Sequence, residues 1–245
     1  YLHRRQRQMC IRDRSNISGF ESVLTMNTGA EAVETSIKAA RRWGYFSKGI
    51  PEDNAEIIVA NGNFHGRTTT IVSFSSDSSY KDGFGPFTPG FKTADYCGSC
   101  NCESIENCLS IESFEKKINK NTCAILVEPI QGEAGIRVPT EGWLTKLREL
   151  CDAKNILLIL DEIQSGLGRT GKLFAFQHEN IMPDGLILGK ALGGALLPIS
   201  AFLSSKEVMD HFKPGSHGST FGGNPLASKV ASKAIDLLYL SLIHI

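Results

Sequence analysis

The chain has 245 residues, with 26 Lys and Arg against 26 Asp and Glu, so its formal net charge is zero. Charged residues make up 21% and aromatic residues 8% of the sequence, which are ordinary values for a globular protein. This composition excludes an intrinsically disordered chain, which would be poor in apolar residues and far from neutral. The neutral charge argues against nucleic acid as the main partner. The apolar runs are also too short to span a membrane, which takes about 20 residues.

Cysteine content and the two ends of the chain bear on compartment and domain boundaries. Seven cysteines are too few, and odd in number, for a disulfide scaffold. This favours a reducing, intracellular compartment, either the cytoplasm or the mitochondrial matrix.

Residues 1–14 contain five arginines and one acid, a composition shared with mitochondrial transit peptides. We instead interpret residues 1–14 and 240–245 as sequence appended to the native protein. We assign residues 15–239 to one domain.

Short apolar runs alternate with helical stretches through the middle of the chain. Nearly continuous apolar, β-branched residues predict five strands buried on both faces: Glu56–Ala60, Cys123–Glu128, Ile156–Asp161, Leu186–Gly189 and Ile199–Leu203. Apolar residues at the helical period predict helices over Ala30–Ser47 and Thr140–Ala153. This alternation is typical of an α/β domain, with a mostly parallel central sheet and helices on both faces.

Polar residues follow three of the predicted elements at positions suited to chemistry, because ligands of such sheets bind beyond the carboxyl ends of the strands. Gly29 opens the first long helix, where backbone N–H groups and the helix dipole favour a phosphate. Lys190 follows a buried strand and a glycine, and a lysine held in this way can form a Schiff base. Asp161 ends a neighbouring strand, where a carboxylate can pair with a protonated ring nitrogen. Each residue alone also has a structural explanation as a turn or cap, but together they predict a pyridoxal phosphate site.

Seven segments of the sequence resemble the class III pyridoxal-phosphate-dependent aminotransferases, in the order and spacing of that family. These segments are NTGAEAVE, GNFHGRT, GFGPFTPGF, VEPIQGEAG, LDEIQSGLGRTG, LGKALGG and GSHGSTFGGNP, within a resemblance that runs from about Ser22 to Leu237. The resemblance implies the large domain of a fold-type I, aspartate-aminotransferase-like enzyme with pyridoxal 5'-phosphate as cofactor. It also implies amino-acid and 2-oxo-acid substrates and a homodimer with shared active sites.

The resemblance implies roles around the cofactor ring for four residues. Lys190 matches the lysine that carries the cofactor and later acts as a base. Asp161 matches the carboxylate that keeps the ring nitrogen protonated, and Gln164 matches the amide that hydrogen-bonds the phenolic oxygen. Phe64 matches the aromatic residue that stacks on the ring face. Ordinary core packing remains an alternative for Phe64.

Other matched residues concern the phosphate and the substrate. Gly29 and Ala30 match the positions that donate N–H groups to the phosphate, and Thr220 matches a residue that reaches the phosphate of the neighbouring subunit. Arg67 matches the arginine that binds a substrate carboxylate. Glu133 matches the glutamate that, in ornithine-specific members, masks a second arginine so that ornithine reacts through its side-chain amine. A strand-end cap is the alternative for Glu133.

Within the family, the motifs favour transfer of the δ-amino group of ornithine to 2-oxoglutarate, which gives glutamate semialdehyde and glutamate. Related enzymes that use acetylornithine or 4-aminobutyrate are the alternatives. Leu197 stands where many ornithine-specific members have an aromatic residue. The second arginine belongs to a small domain that follows the large domain in the family, and we expect this chain to lack that domain.

The segment GLGRTGK over 166–172 supports a rival interpretation, a nucleotide-binding hydrolase. It satisfies the glycine and lysine positions of a phosphate-binding loop, but Leu173 replaces the hydroxyl residue that binds the metal. The acidic pair also precedes the glycines, whereas it should lie on a later strand.

Four cysteines lie close together in the sequence, at Cys97, Cys100, Cys102 and Cys108. Four thiolates can in principle ligate zinc, but structural zinc sites usually combine two separated pairs. The single residue between Cys100 and Cys102 is awkward for one tetrahedral centre. We therefore expect a reduced, cysteine-rich surface insertion and no metal site.

Overall fold

A computed structural model describes residues 18–98, 102 and 104–243 of the chain. Seven strands form one sheet: β1 (Ser22–Met26), β2 (Glu56–Ala60), β3 (Phe91–Ala94), β4 (Thr122–Val127), β5 (Leu157–Asp161), β6 (Gly185–Leu188) and β7 (Ser200–Ser204). Their spatial order is β1-β7-β6-β5-β4-β2-β3. Strand β7 is antiparallel to both of its neighbours, and the pairs among the other strands are parallel. The predicted mostly parallel sheet is confirmed.

Helices cover both faces of the sheet. They are α1 (Gly29–Phe46), α2 (Thr69–Ser73), α3 (Leu109–Lys117), α4 (Trp143–Lys154), α5 (Lys206–Met209) and α6 (Pro225–Ile243). Among the helices that the structure describes, none is both long and apolar enough to cross a membrane. The backbone alone is described for the end of α6, and the interpretation of 240–245 as appended sequence stays a prediction.

Alternate residues of each central strand enter two separate apolar clusters, one on each face of the sheet. In β5, Ile159 packs with residues of α1, whereas Leu158 and Leu160 pack on the other face with residues of α4. Every residue of β4, β5, β6 and β7 is buried, which explains their nearly continuous apolar sequences. Burial on both faces fixes the register of these strands and therefore the positions of the residues that follow them.

The five predicted strands and two predicted helices are confirmed to within a few residues. Strands β1 and β3 were not predicted, because both lie at the edges of the sheet and their sequences lack a continuous apolar run. Helix α4 begins at Trp143 rather than Thr140, because Gly142 adopts a left-handed φ of 87°. Helix α1 begins where predicted, since Thr28 and Glu31 form a capping box.

The carboxyl ends of the parallel strands meet at one edge of the sheet. Strands β2, β4, β5 and β6 are parallel to one another, and β1 has the same direction because β7 is antiparallel to both β1 and β6. The segments that follow these strands therefore lie side by side. They contribute the residues of the candidate site.

Candidate active site

A buried ion pair joins the ends of two strands. Asp161 ends β5, and its Oδ2 atom lies 2.7 Å from Nδ1 of His65, with the two side chains 3% and 0% exposed. The second carboxylate oxygen accepts a hydrogen bond from the Ile163 N–H at 3.0 Å. Burial lowers the pKa of His65, but the hydrogen bond and charge of Asp161, together with the charge of Glu128, outweigh burial and raise it. Asp161 is therefore held in one orientation by the imidazole at one oxygen and the backbone at the other, and its charge favours the protonated form of His65.

Glu128 supports the same site from the end of β4. Its Oε2 atom accepts a hydrogen bond from the Phe64 N–H at 3.0 Å, which ties the 61–66 segment to the sheet edge. Burial, with a further contribution from the charge of Asp161, raises the pKa of Glu128 to about 7 against the opposing effect of His65. Glu128 therefore fixes the backbone at Phe64 and carries a proton that is exchanged near neutral pH.

The start of α1 approaches this ion pair closely. A side chain at Gly29 would place its Cβ atom 2.8 Å from Cδ1 of Ile163, so any larger residue there would require the Ile163 side chain to shift. Gly66 has a φ of 129°, and a Cβ atom on it would lie 3.0 Å from that of Ala30. These close approaches bring the first turn of an 18-residue helix to the end of β5. Its backbone N–H groups and positive dipole end suit a bound anion.

Lys190 reaches the site from the end of β6. It follows Gly189 and begins a short 3₁₀ turn, Lys190–Gly193, with a left-handed φ of 40° that is uncommon for a residue with a side chain. Such a conformation costs on the order of 1–3 kcal/mol and persists where the surrounding structure imposes it. The lysine side chain is exposed toward a cavity rather than packed in the core.

A cavity of about 170 Å³ brings together most of the residues that the sequence predicted for the site. It is lined by Gly29, Ala30, Phe64, His65, Gly66, Glu128, Asp161, Ile163, Gln164 and Lys190. A second, larger cavity of about 1050 Å³ shares Ile163, Gln164 and Lys190 with the first. Six of the nine predicted site residues therefore border one cavity, which shares part of its lining with a larger one.

The larger cavity contains the contact between Gln164 and the segment after β4. A Cβ atom on Gly132 would lie 1.6 Å from Oε1 of Gln164, so the amide occupies the space that glycine leaves. The amide Nε2 donates to Oε1 of Glu133 at 3.5 Å, the upper limit for a hydrogen bond. Glu133 is outside the lining of both cavities and reaches the site through Gln164.

Arg67 and Thr220 lie outside the lining of the smaller cavity. The Arg67 guanidinium is exposed and sits over the ring of Tyr80 at 4.4 Å and near the ring of Phe64 at 5.5 Å. Thr220 is exposed on the segment between β7 and α6. Asn27 donates to Oγ of the adjacent Ser219 at 2.8 Å, which fixes this segment beside the start of α1.

His65 and Glu128 were not among the predicted site residues. Both follow the carboxyl end of a predicted strand, β2 and β4, and the rule that singled out Asp161 and Lys190 applies to them as well. At most 3% of His65 and about 5% of Glu128 are exposed. Polar side chains buried to this degree have fixed hydrogen-bond partners. Strand-end position combined with a titratable side chain is therefore the signal that would have found them.

The segment 166–172 does not have the geometry of a phosphate-binding loop. A four-residue 3₁₀ helix, Ala175–His178, follows it in place of an α-helix, and the Lys172 Nζ atom donates to the backbone carbonyl of Gln177 at 2.8 Å. Glu162, the second acid of the pair, accepts hydrogen bonds from the N–H groups of Ala175 and Phe176 at 2.7 and 2.9 Å. Burial raises the pKa of Glu162 to about 7, against the effect of those two hydrogen bonds. These contacts give the segment a structural role, and the nucleotide-binding interpretation has no support.

Comparison with known proteins agrees with the geometry. A family model described as "Aminotransferase class-III" matches residues 2–241. Ornithine aminotransferase of Brevibacillus brevis is 56% identical over 224 residues, which cover 91% of this chain and 53% of that protein. The crystal structure of the ornithine aminotransferase from Toxoplasma gondii superposes with a TM-score of 0.88 at 46% identity, covering 96% of this chain and 53% of that one. Acetylornithine aminotransferase from Elizabethkingia anophelis gives a TM-score of 0.79 at 50% identity, covering 96% and 54%. The chain spans about half the length of each of these relatives.

Proposed function

The chain belongs to the class III aminotransferases, and we propose that residues 15–239 are the cofactor-binding domain of an enzyme that transfers the δ-amino group of ornithine to 2-oxoglutarate. The observation that carries the proposal is the single cavity bordered by Lys190 and by the buried Asp161–His65 pair. The names of the relatives supply the substrate. Because the curated relatives are bacterial, we favour the cytoplasm over a mitochondrial matrix.

The residues of the cavity fit pyridoxal phosphate group by group. Gly29 and Ala30 at the start of α1 would hold the phosphate, since no side chain blocks the N–H groups of the first turn. Asp161 would pair with the ring nitrogen, and Phe64, which borders the cavity, would stack on the ring face. When bound, the cofactor supplies an electron sink for the bond that breaks at the substrate carbon.

Asp161 supplies a carboxylate at a fixed position. A carboxylate keeps a neighbouring basic nitrogen protonated because opposite charges attract strongly in a buried site. Here the carboxylate is held from both sides, by His65 at one oxygen and by the Ile163 N–H at the other. It therefore pays little reorganisation cost when it meets its partner.

Lys190 has a position suited to proton transfer. It lines the cavity from the end of β6, at the start of a 3₁₀ turn, and the backbone at Gly189 passes close to Ile163. A lysine amine in that place can take the proton from the substrate carbon next to the amino group and return it elsewhere. We assign this role to the Nζ atom of Lys190.

Substrate selection rests on Arg67, Glu133 and the larger cavity. Arg67 presents an exposed guanidinium beside Phe64, where it can pair with a substrate carboxylate in the two-pronged way that guanidinium groups favour. Glu133 lies beside Gln164, whose side chain lines both cavities. Acetylornithine is the second candidate substrate, because a relative of that name has 50% identity with this chain.

Covalent labelling tests the proposed function. The chain is incubated with pyridoxal phosphate and reduced with borohydride, and its peptides are then mapped by mass spectrometry. We expect one label, on Lys190, and none in Lys190→Ala. Ornithine added before reduction should release the cofactor in its amino form faster than N-acetylornithine or 4-aminobutyrate does. A label confined to other lysines contradicts the proposal, and a faster reaction with N-acetylornithine would reassign the substrate.

A further inference from the structure

Three cysteines outside the active site converge on one point. Cys97 follows β3 and is fully buried, Cys108 caps the start of α3, and Cys102 lies between them in sequence. Their sulfur atoms all lie within 4.8 Å of one another, and those of Cys97 and Cys102 are 3.8 Å apart. Cys100, the remaining cysteine of this segment, lies outside the described residues.

We propose that Cys97, Cys102 and Cys108 form a structural Zn²⁺ site. At a Zn–S distance of about 2.3 Å, tetrahedral geometry puts two sulfur ligands about 3.8 Å apart. The sulfur atoms of Cys97 and Cys102 have this separation, and Cys108 is close enough to complete the same centre. Three thiolates occupy three corners of the tetrahedron and leave one corner for a further ligand.

The choice of zinc follows from the ligand atoms. Thiolates are soft ligands that select zinc, copper(I) or iron–sulfur clusters over magnesium and calcium. An iron–sulfur cluster is held by four ligands spread around several metal atoms, whereas these three sulfur atoms converge on one position. Tetrahedral spacing then favours Zn²⁺, the ion that structural thiolate sites most often hold.

Thr140 provides hydrogen bonds of the kind that support metal-bound thiolates. Its backbone N–H donates to the sulfur of Cys97 at 3.3 Å, and its hydroxyl donates to the backbone carbonyl of Cys102 at 3.3 Å. The same hydroxyl oxygen lies 3.7 Å from the sulfur of Cys102. Groups beyond the direct ligands orient those ligands and tune the metal, so Thr140 is a second part of the proposed site.

The site would fasten the cysteine segment to the segment that follows β4. Gly98 has a φ of 100°, and a Cβ atom on it would lie 3.2 Å from the carbonyl oxygen of Val138. Arg137, next to Val138, pairs with Gln131 in an isolated β-bridge, and Gln131 stands two residues before Glu133. Tyr96, beside Cys97, donates to the carbonyls of Glu128 and Pro129 at 3.2 and 2.9 Å. A metal ion at the cysteines would therefore stabilise the turn that carries Glu133.

Metal analysis of the purified chain tests the proposal. The reduced protein is expressed in zinc-supplemented medium and passed through a desalting column, and its zinc is measured by mass spectrometry. We expect about one zinc per chain, and binding at least a hundredfold weaker in Cys102→Ser. Cys151→Ala is the matched control, because Cys151 is buried elsewhere in the core and should leave the zinc content unchanged. Cobalt(II) added to the metal-free chain should give the intense absorption of a tetrahedral thiolate site, and Cys97→Ser should weaken it.

Three results would overturn the zinc site. The first is a reduced, folded chain that neither retains zinc nor gives the cobalt spectrum. The second is zinc that survives unchanged in Cys102→Ser and Cys108→Ser. The third is a peptide map in which two of these cysteines are already linked as a disulfide in the isolated chain, with free thiols blocked at lysis and no reductant added. Because Cys102 is only half-buried, Cys102→Ser should fold even where the buried positions do not tolerate serine.

Discussion

The Oδ2 atom of Asp161 lies 2.7 Å from Nδ1 of His65, although the two residues are 96 positions apart in sequence. The contact connects the end of β5 with the segment after β2, across the end of the intervening strand β4. The Nε2 atom of His65 has no hydrogen-bond partner among the described residues. The histidine therefore directs its hydrogen bonding to the carboxylate, which favours a role in holding Asp161.

Asp161→Asn should separate cofactor uptake from catalysis. Asparagine fills the same space but carries no charge, so a neighbouring ring nitrogen loses the partner that keeps it protonated. We expect the variant still to bind pyridoxal phosphate at Lys190 but to lose at least about a hundredfold in transamination, on the order of 3 kcal/mol of barrier. Single-turnover kinetics with ornithine measures this loss. Near-normal turnover would reduce Asp161 to a structural cap of the Ile163 N–H.

His65→Phe should lower the free energy of unfolding, because it removes the side chain that pairs with Asp161. The substitution leaves a buried carboxylate without its hydrogen-bond partner, and breaking a buried pair in this way costs roughly 3–5 kcal/mol. Combining it with Asp161→Asn should cost less than the sum of the two single changes, because both remove the same interaction. Urea unfolding of the four proteins gives the coupling energy. Strict additivity would mean that the two side chains do not interact in solution.

Much of this arrangement could be predicted from the sequence. Continuous apolar runs identified β2 and β4–β7, and the residues after two of those runs, Asp161 and Lys190, now border one cavity. Edge strands β1 and β3 lacked that signal because each is only partly buried. Pairwise contacts such as Asp161–His65 could not be predicted, since they depend on the spatial order of the strands.

The cysteine segment marks a second limit of sequence analysis. The spacing of Cys100 and Cys102 argued against a single metal centre, and the expectation was no metal site. The structure brings Cys97, Cys102 and Cys108 together instead, and the left-handed turn at Gly98 helps to do so. Sequence spacing predicts ligand geometry within a regular element, but not within a loop of this length.

Gly132→Ala should move Gln164 without unfolding the chain. The new methyl group would overlap Oε1 of Gln164, and that flexible side chain can rotate away. We expect stability to change by less than about 1 kcal/mol, as at tolerant sites. Cofactor affinity should fall by roughly tenfold, because one hydrogen bond of about 1 kcal/mol or more is lost. Absorbance titration with pyridoxal phosphate measures the affinity.

Two controls accompany this change. Gly218→Ala adds a methyl group with nothing within 4 Å and should leave cofactor affinity as it is. Gln164→Ala should match Gly132→Ala, and the double variant should be no worse than either. A larger loss in the double variant would indicate that Gly132 contributes in some other way.

Low pH should loosen the segment that carries Thr220. The Nδ1 atom of His217 accepts a hydrogen bond from Nζ of Lys38 in α1 at 2.9 Å, and its Nε2 atom is hydrogen-bonded to Oγ1 of Thr35 in the same helix at 2.9 Å. Burial, and then the charge of Lys38, lower the pKa of His217 from its ordinary value of 6.5. When the segment leaves α1, His217 returns to its ordinary pKa and is protonated more readily than when it is packed on the helix. Protonation below pH 6.5 therefore favours the released segment, and its packing on α1 weakens.

Hydrogen exchange of the amides in residues 213–223 measures this effect. After correction for intrinsic rates, their protection should fall between pH 7.5 and pH 5.5. His217→Gln removes the titrating group, and its protection should depend less on pH than that of the unaltered chain. Equal pH dependence in the two proteins would assign the effect to other groups, such as Glu128 or Glu162.

Mixing two variants with impaired cofactor sites should restore cofactor binding if Thr220 serves the neighbouring subunit. Thr220 is exposed and outside the cavity that Lys190 borders in its own chain, which fits a contact made across a dimer. Lys190→Ala lacks the lysine, and Thr220→Ala lacks a hydroxyl for the partner's phosphate. In a mixed dimer, one site combines Lys190 of the Thr220→Ala chain with Thr220 of the Lys190→Ala chain, so that site is intact. The other site lacks both residues.

The expected result is a higher affinity for the cofactor in the mixture. When the two variants are unfolded and refolded together, labelling at Lys190 should require less pyridoxal phosphate than it does in Thr220→Ala alone. Equal labelling before and after mixing would mean that Thr220 acts within its own subunit or has no role in cofactor binding.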